Sequence, residues 1–104
     1  MAGPTAKINP HAAPRMRLDK WLWQARFFKT RAEAADLIGK GRVRVNGVRM
    51  SKPGHSIAVQ DVLTFPQGGI IRLIRIAALG LRRGPYAEAQ MLYIDMDAAP
   101  TPLE

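Results

Sequence analysis

"TRAEAADLIGKGRVRVNGVRM", Thr30 to Met50, holds a helix start, a helix stop and a hairpin in a single run. "TRAE" is a capping box: the Thr30 hydroxyl can accept from the Glu33 amide while Glu33 reaches back toward the start of the helix. Ala34, Leu37 and Ile38 then supply an apolar stripe. Gly39 and Gly41 offer the left-handed conformation that ends helices. Asn46-Gly47 lies between alternating residues, the strongest short signal for a two-residue type I′ hairpin. Val43 and Val45 then face one side and Arg44 the other. A capped helix running straight into a hairpin predicts an α+β domain.

Upstream lies "RLDKWLWQARFFK", Arg17 to Lys29. Leu18, Trp21, Leu22, Ala25 and Phe28 follow the i, i+3, i+4, i+7 spacing of one buried helical face, which predicts a first helix from Arg17 to Phe28. Asp19 sits in its first turn, where the helix dipole favours a carboxylate. Only a residue or two around Lys29 separates this helix from the next, so the two form a tight corner. At about 100° per residue, Trp23 and Phe27 fall on the side away from Trp21, with Lys20 beside Phe27. Either the rest of the chain packs over them, or they form an aromatic platform flanked by cations, suited to unpaired bases.

Downstream, "SKPG" (Ser51–Gly54) is a turn. "SIAVQDVLTF" predicts a short extended piece, a turn near Gln60-Asp61 and a strand through Leu63 and Phe65. "PQGG" turns the chain again. "IIRLIRIAAL" is a β-branched strand interrupted by Arg72 and Arg75. "GLRRGP" is a loop. "PYAEAQML" can make a short helix with Pro85 at its first position, or "LYIDMD" can instead make a last strand.

The chain has 104 residues, one domain in size, and its 47% hydrophobic content is ordinary for a globular protein. It has no cysteine, so disulfides and thiolate metal sites are excluded. No apolar run approaches the roughly 20 residues that span a bilayer. "MAGPTAKINPHAAPR" lacks the apolar core of a signal peptide, and its composition predicts a disordered tail. The ending "DAAPTPLE" also reads as a tail, its last Leu-Glu being either native or a vector remnant. We therefore expect a cytoplasmic protein.

Charge is strongly segregated. Residues 1–52 hold 12 Lys/Arg against 3 Asp/Glu, a balance of +9, whereas residues 53–104 hold 4 against 5, a balance of −1. A basic half on a small domain points to a polyanionic partner. Catalysis has little to work with. His11 and His55 are the only histidines, and neither stands among carboxylates at metal-ligand spacing. "GKGRVRVNG" lacks the phosphate-loop pattern. No metal, cofactor or catalytic residue is expected.

The ordered blocks "RLDK", "TRAEA", "LIGKGRVRVNG", "SKPG" and "QDVLTF", from Arg17 to about Phe65, closely resemble the S-four RNA-binding domain, named after a ribosomal protein. The "WLWQARFFKTR" variant is similar to the ribosome-associated heat-shock branch of that family. The resemblance implies a two-helix corner followed by a small, mainly antiparallel sheet, the alpha-L motif. It implies affinity for structured ribosomal RNA, chiefly on the large subunit, and a role with stalled or dissociated subunits that still carry a nascent chain on tRNA. It places RNA contacts on Arg17, Lys20, Lys29, Thr30, Arg31, Lys40, Arg42 and Lys52, with Trp23, Arg26 and Arg44 as weaker candidates. Asp19 is implied to be structural, and Asn46 and Gly47 belong to the turn. One departure is the acidic ending "DMDAAPTPLE", where that branch continues into a long basic extension.

On this reading the chain comprises a tail (1–15), the RNA-binding motif (16–66), further strands and a short helix completing the same domain (67–96), and a second tail (97–104). The expected protein is a non-enzymatic monomer that binds rRNA or, as second choice, tRNA. The alternatives are the detached binding part of an RNA-modifying enzyme, and a helix-turn-helix protein on duplex DNA, for which the mixed charge of the second helix is poorly suited.

Overall fold

The computed structural model describes residues 13–96. The expected first tail lies outside the described residues except for positions 13–15, and the second tail lies outside them entirely. In order, the elements are β1 (Met16–Arg17), α1 (Leu18–Gln24), α2 (Arg31–Gly39), β2 (Val43–Val45), β3 (Val48–Met50), β4 (Ser56–Ile57), β5 (Val62–Gln67), β6 (Ile70–Ile76), α3 (Tyr86–Ala89), a 3-10 turn (Gln90–Leu92) and β7 (Tyr93–Asp95). The fold is α+β. β1 pairs with β4, and the other five strands form a sheet of order β3-β2-β5-β6-β7. Every pairing is antiparallel.

The two helices form the expected corner, but α1 stops earlier than its apolar spacing predicts. The Arg26 amide bonds the Trp23 carbonyl at 3.0 Å and the Phe27 amide bonds the Leu22 carbonyl at 3.1 Å. This is a Schellman closure, with Arg26 at φ 66° in the left-handed position usually held by glycine. No glycine or proline marks it in the sequence. α2 ends the same way on Gly41, at φ 72°, with the Gly41 and Arg42 amides bonding Ile38 and Leu37 carbonyls.

The early stop moves Phe27 off the helix and into the core, where it is 8% exposed. Its ring packs on Phe65, Tyr93 and Trp21 at centroid distances of 5.2, 4.6 and 6.1 Å. The Arg72 guanidinium lies 5.3 Å above it, and the Phe27 carbonyl accepts from Gln67 Nε2 at 2.7 Å. The aromatic platform of Trp23 and Phe27, with Lys20 beside Phe27, is therefore not formed. Phe27 joins the two layers instead.

The hairpin turns at Asn46 and Gly47, both at positive φ, as expected. Asn46 also bonds across to Asp61 and to the Val62 amide, tying this turn to the start of β5. β5 runs on through Pro66 and Gln67, so the second hairpin turns only at Gly68-Gly69. Pro66 pairs with Ile71 of β6, beyond the stretch where β2 pairs with β5. The strand is locally an edge there, which is where proline is tolerated. Helix α3 and strand β7 both form, one after the other.

Leu63, Phe65, Ile74 and Ile76 line the sheet face that packs on Leu18, Trp21, Leu22 and Ile38. The opposite face carries Ile71, Ile94 and Met96, all exposed.

Candidate nucleic-acid interface

The corner is organised around one buried carboxylate. Asp19 is 4% exposed. It accepts from Arg17 Nε and Nη2, both at 3.0 Å, and from the Lys20 amide at 2.7 Å. Arg31 Nη2 approaches it at 3.6 Å from the first turn of α2. Burial by itself raises the Asp19 pKa, but the Arg17 and Lys20 bonds and the Arg31 charge more than offset it, and the group is held below the usual carboxylate range. The Arg17 guanidinium is correspondingly raised, by its bond to Asp19 and by the charge there. Asp19 is thus structural, as expected, and what it structures is a pair of arginines whose side chains stay 55% and 43% exposed.

The "SKPG" turn completes this side. The first two amides of α1, Leu18 and Asp19, donate to the carbonyls of His55 and Pro53 at 2.9 and 3.1 Å. These amides would otherwise lack helical partners. The docking brings Lys52 to the N-terminal end of α1, where Gly54 abuts the Arg17 guanidinium. Lys52 to His55 border an open depression.

On α2, Thr30 caps the helix: its hydroxyl accepts from the Glu33 amide at 3.1 Å. Glu33 returns to the Lys29 amide at 3.2 Å, one residue earlier than a standard capping box. Lys29 and Arg31 flank this start and are exposed. The structure thus brings together Arg17, Lys20, Lys29, Arg31 and Lys52 around the paired helix starts and the corner.

Lys40, Arg42 and Arg44 stand apart from this group, and Trp23 and Arg26 lie at the far end of α1. Lys40 and Arg42 follow the last residue of α2, about 13 Å along its axis, and Lys40 pairs with Asp36 at 3.0 Å. Arg44 faces Arg49 across the β2–β3 ladder and bonds the Gly47 carbonyl. Arg26 Nε donates to the Gly84 carbonyl at 2.6 Å. Trp23 is half-buried, with the Arg83 guanidinium 5.7 Å from its ring centroid. Arg83 Nε also donates to the Trp23 carbonyl at 3.0 Å. Arg83 was not among the residues expected here, although "LRR" is the one pair of adjacent cations in the second half of the sequence. Among the described residues, no three His, Asp or Glu side chains group to hold a metal, and no helix is long and apolar enough to cross a membrane.

A two-helix corner followed by a mainly antiparallel sheet is the architecture of the S4 domain, and residues 16–63 match that domain. Heat shock protein 15 of Escherichia coli (strain K12) is 46% identical over 81 residues, which is 78% of this chain and 60% of that protein. The chain therefore spans about three fifths of that relative's length. The trimeric structure of Vibrio cholerae Heat Shock Protein 15 has the same fold, with a TM-score of 0.76 and 39% identity, covering 81% of this chain and 84% of that one. The RQC P-site tRNA stabilizing factor of Listeria monocytogenes (serovar 1/2a, strain EGD-e) is 40% identical over 67 residues, 64% of this chain and 72% of that protein. The chain belongs to the heat shock protein 15 family, a family of small, non-enzymatic proteins built on the S4 RNA-binding domain. The trimeric state of the Vibrio protein runs against the monomer expected from the sequence.

Proposed function

We propose that this chain is a non-enzymatic RNA-binding protein that docks on structured RNA of the large ribosomal subunit and acts on stalled or dissociated subunits. The observation that carries the reading is the Asp19 clamp. One buried carboxylate aims two arginines from separate segments into solvent beside Lys20 and Lys52. Their side chains are ordered by folding, so less ordering remains to be done on binding. The name of the Listeria relative favours tRNA held on the ribosome as a neighbouring or second partner. A ribosomal partner places the chain in the cytoplasm. We read its assembly as a trimer, following the Vibrio relative, and the exposed apolar residues on the outer sheet face are consistent with self-association. Light scattering on the RNA-free protein tests this, and a monomer at micromolar concentration refutes it.

Binding to deproteinised large-subunit rRNA over a range of salt tests the main reading. Each phosphate contact contributes a slope of roughly −0.7 to −0.9 in log K against log salt. The triple substitution Lys20→Ala, Lys29→Ala, Arg31→Ala should weaken binding at least tenfold and flatten the slope by about 2. Unchanged affinity and slope would overturn the corner as the RNA face. Tighter binding to duplex DNA at equal salt would restore the helix-turn-helix alternative.

A further inference from the structure

The loop between β6 and α3 crosses from the sheet to the last turn of α1 and is pinned there at both ends. At its start, Trp21 Nε1 donates to the Ala78 carbonyl at 2.9 Å. At its end, Arg83 Nε donates to the Trp23 carbonyl at 3.0 Å and Arg26 Nε donates to the Gly84 carbonyl at 2.6 Å. Gly80, at φ 77°, turns the chain against Leu92 and Gln24, where a Cβ would meet the Leu92 methyl groups at 3.1 Å. What projects from this anchored frame is Leu81, which is 100% exposed, and Arg82, whose side chain is 67% exposed.

The loop lies beside the cationic corner. Trp23 is three and four residues beyond Lys20 and Asp19, which places it on the same side of α1, about 4.5–6 Å further along the axis. Arg83 covers one side of the Trp23 ring, so the indole acts as a seat for a guanidinium. A run of cations, exposed at Arg31, Arg17 and Arg82 and half-buried at Lys20 and Arg83, therefore continues from the corner across Trp23 to the loop. Arg82 is paired with Glu88 at 2.8 Å. Surface pairs of this kind contribute little, so the guanidinium can exchange its carboxylate for a phosphate. Leu81 makes no use of its apolar side chain in the fold. An apolar group on an anchored tip between cations matches the face of an unpaired base beside its phosphates.

We propose that the segment Leu81–Arg83 is a second RNA-contacting element, lying outside the matched S4 segment. Arg82 and the Trp23-seated Arg83 take phosphates of the strand that leaves the corner, and Leu81 packs on an unpaired base. The proposal rests on the RNA-binding reading above.

The probe is deproteinised large-subunit rRNA, titrated at several salt concentrations with the full chain. Arg82→Ala with Arg83→Ala should weaken binding about tenfold and flatten the salt slope by about 1.4–1.8, two phosphate contacts. Leu81→Ser alters a side chain with no contacts, leaves the thermal midpoint unchanged and should weaken binding three- to tenfold with no change in slope. p-Benzoylphenylalanine placed at position 81 should crosslink to the RNA, and the triple corner variant should reduce that crosslink in step with binding. If the loop variants bind like the parent and position 81 gives no crosslink while the corner variant loses affinity, the second element is refuted and the corner stands. If the parent chain itself shows no salt-dependent RNA binding, both readings fall.

Discussion

Asp19→Asn keeps the size of a buried side chain and removes its charge. The carboxylate now receives two bonds from Arg17, one from the Lys20 amide and the approach of Arg31. Asparagine can still accept from Lys20, but its amide nitrogen turns a donor toward guanidinium donors. Charge-assisted bonds exceed neutral ones by about 1 kcal/mol, and a carboxylate in the first turn of a helix contributes roughly 0.3–1 kcal/mol through the dipole. The expected loss is about 1.5 kcal/mol, or roughly 6–12 °C in Tm for a domain of this size.

The pH dependence follows with a fixed sign. The folded pKa of Asp19 lies below its unfolded value, which is about 3.9. The stabilisation is therefore complete above the unfolded value and is lost as pH falls through the folded one. The difference in ΔG between parent and variant should be flat near neutrality and shrink below about pH 4. Binding separates two accounts of the corner. The variant carries one more positive charge, so a diffuse attraction predicts tighter RNA binding. Aimed arginines predict binding weaker by about three- to tenfold, because their side chains must then be ordered by the RNA. Urea titrations across pH and an anisotropy titration with rRNA read both. Tighter binding by Asp19→Asn would refute the argument for a preorganised face, and a ΔG difference that grows as pH falls would refute the linkage.

Other substitutions probe the frame. Thr30→Ala removes the hydroxyl that caps α2 and should cost about 1 kcal/mol in urea denaturation. No change would mean the cap is idle. Phe27→Ala should cost about 3–5 kcal/mol, a large share of the stability of a small domain, whereas Trp23→Ala should cost clearly less. Equal losses would contradict the division between core and surface. Gly47→Ala places a Cβ at φ 84° and should destabilise by about 1–2 kcal/mol, with the loss seen in the unfolding midpoint.

What could be read from the sequence was local. The capping box, Gly41 after α2 and Asn46-Gly47 each act within a few residues, so their outcome does not depend on the rest of the chain. The end of α1 was not readable in this way. Apolar spacing continues through Phe28, and the residue that takes the left-handed turn is Arg26, which pays a steric cost that glycine avoids. Its place is held by contacts distant in sequence, the Arg26 bond to Gly84 and the packing of Phe27 on Phe65 and Tyr93. The site divides along the same line. Arg17 beside Asp19 is a neighbour in sequence, but the arrival of Arg31 at the same carboxylate and of Arg83 on Trp23 are consequences of packing. The cations of the first half could be listed from the sequence, while Arg83 and the separation of Lys40 and Arg42 from the corner group could not.

The C-terminal third has a consequence for the corner itself. α1 has seven residues, too few for a helix to persist without tertiary support. At its start, support comes from the carbonyls of Pro53 and His55 and from the Asp19 carboxylate. At its end, it comes from residues 78–84, through Trp21 Nε1 to Ala78, Arg83 to the Trp23 carbonyl and Arg26 to Gly84. That second set lies beyond the matched S4 segment, which ends at residue 63. Lys20 and Trp23 therefore ride on a helix whose far end is held by a different part of the chain. Loosening the loop should blunt the corner even where no corner cation is touched. The two effects differ in kind: a lost phosphate contact changes the salt slope, whereas a loosened helix lowers affinity at constant slope.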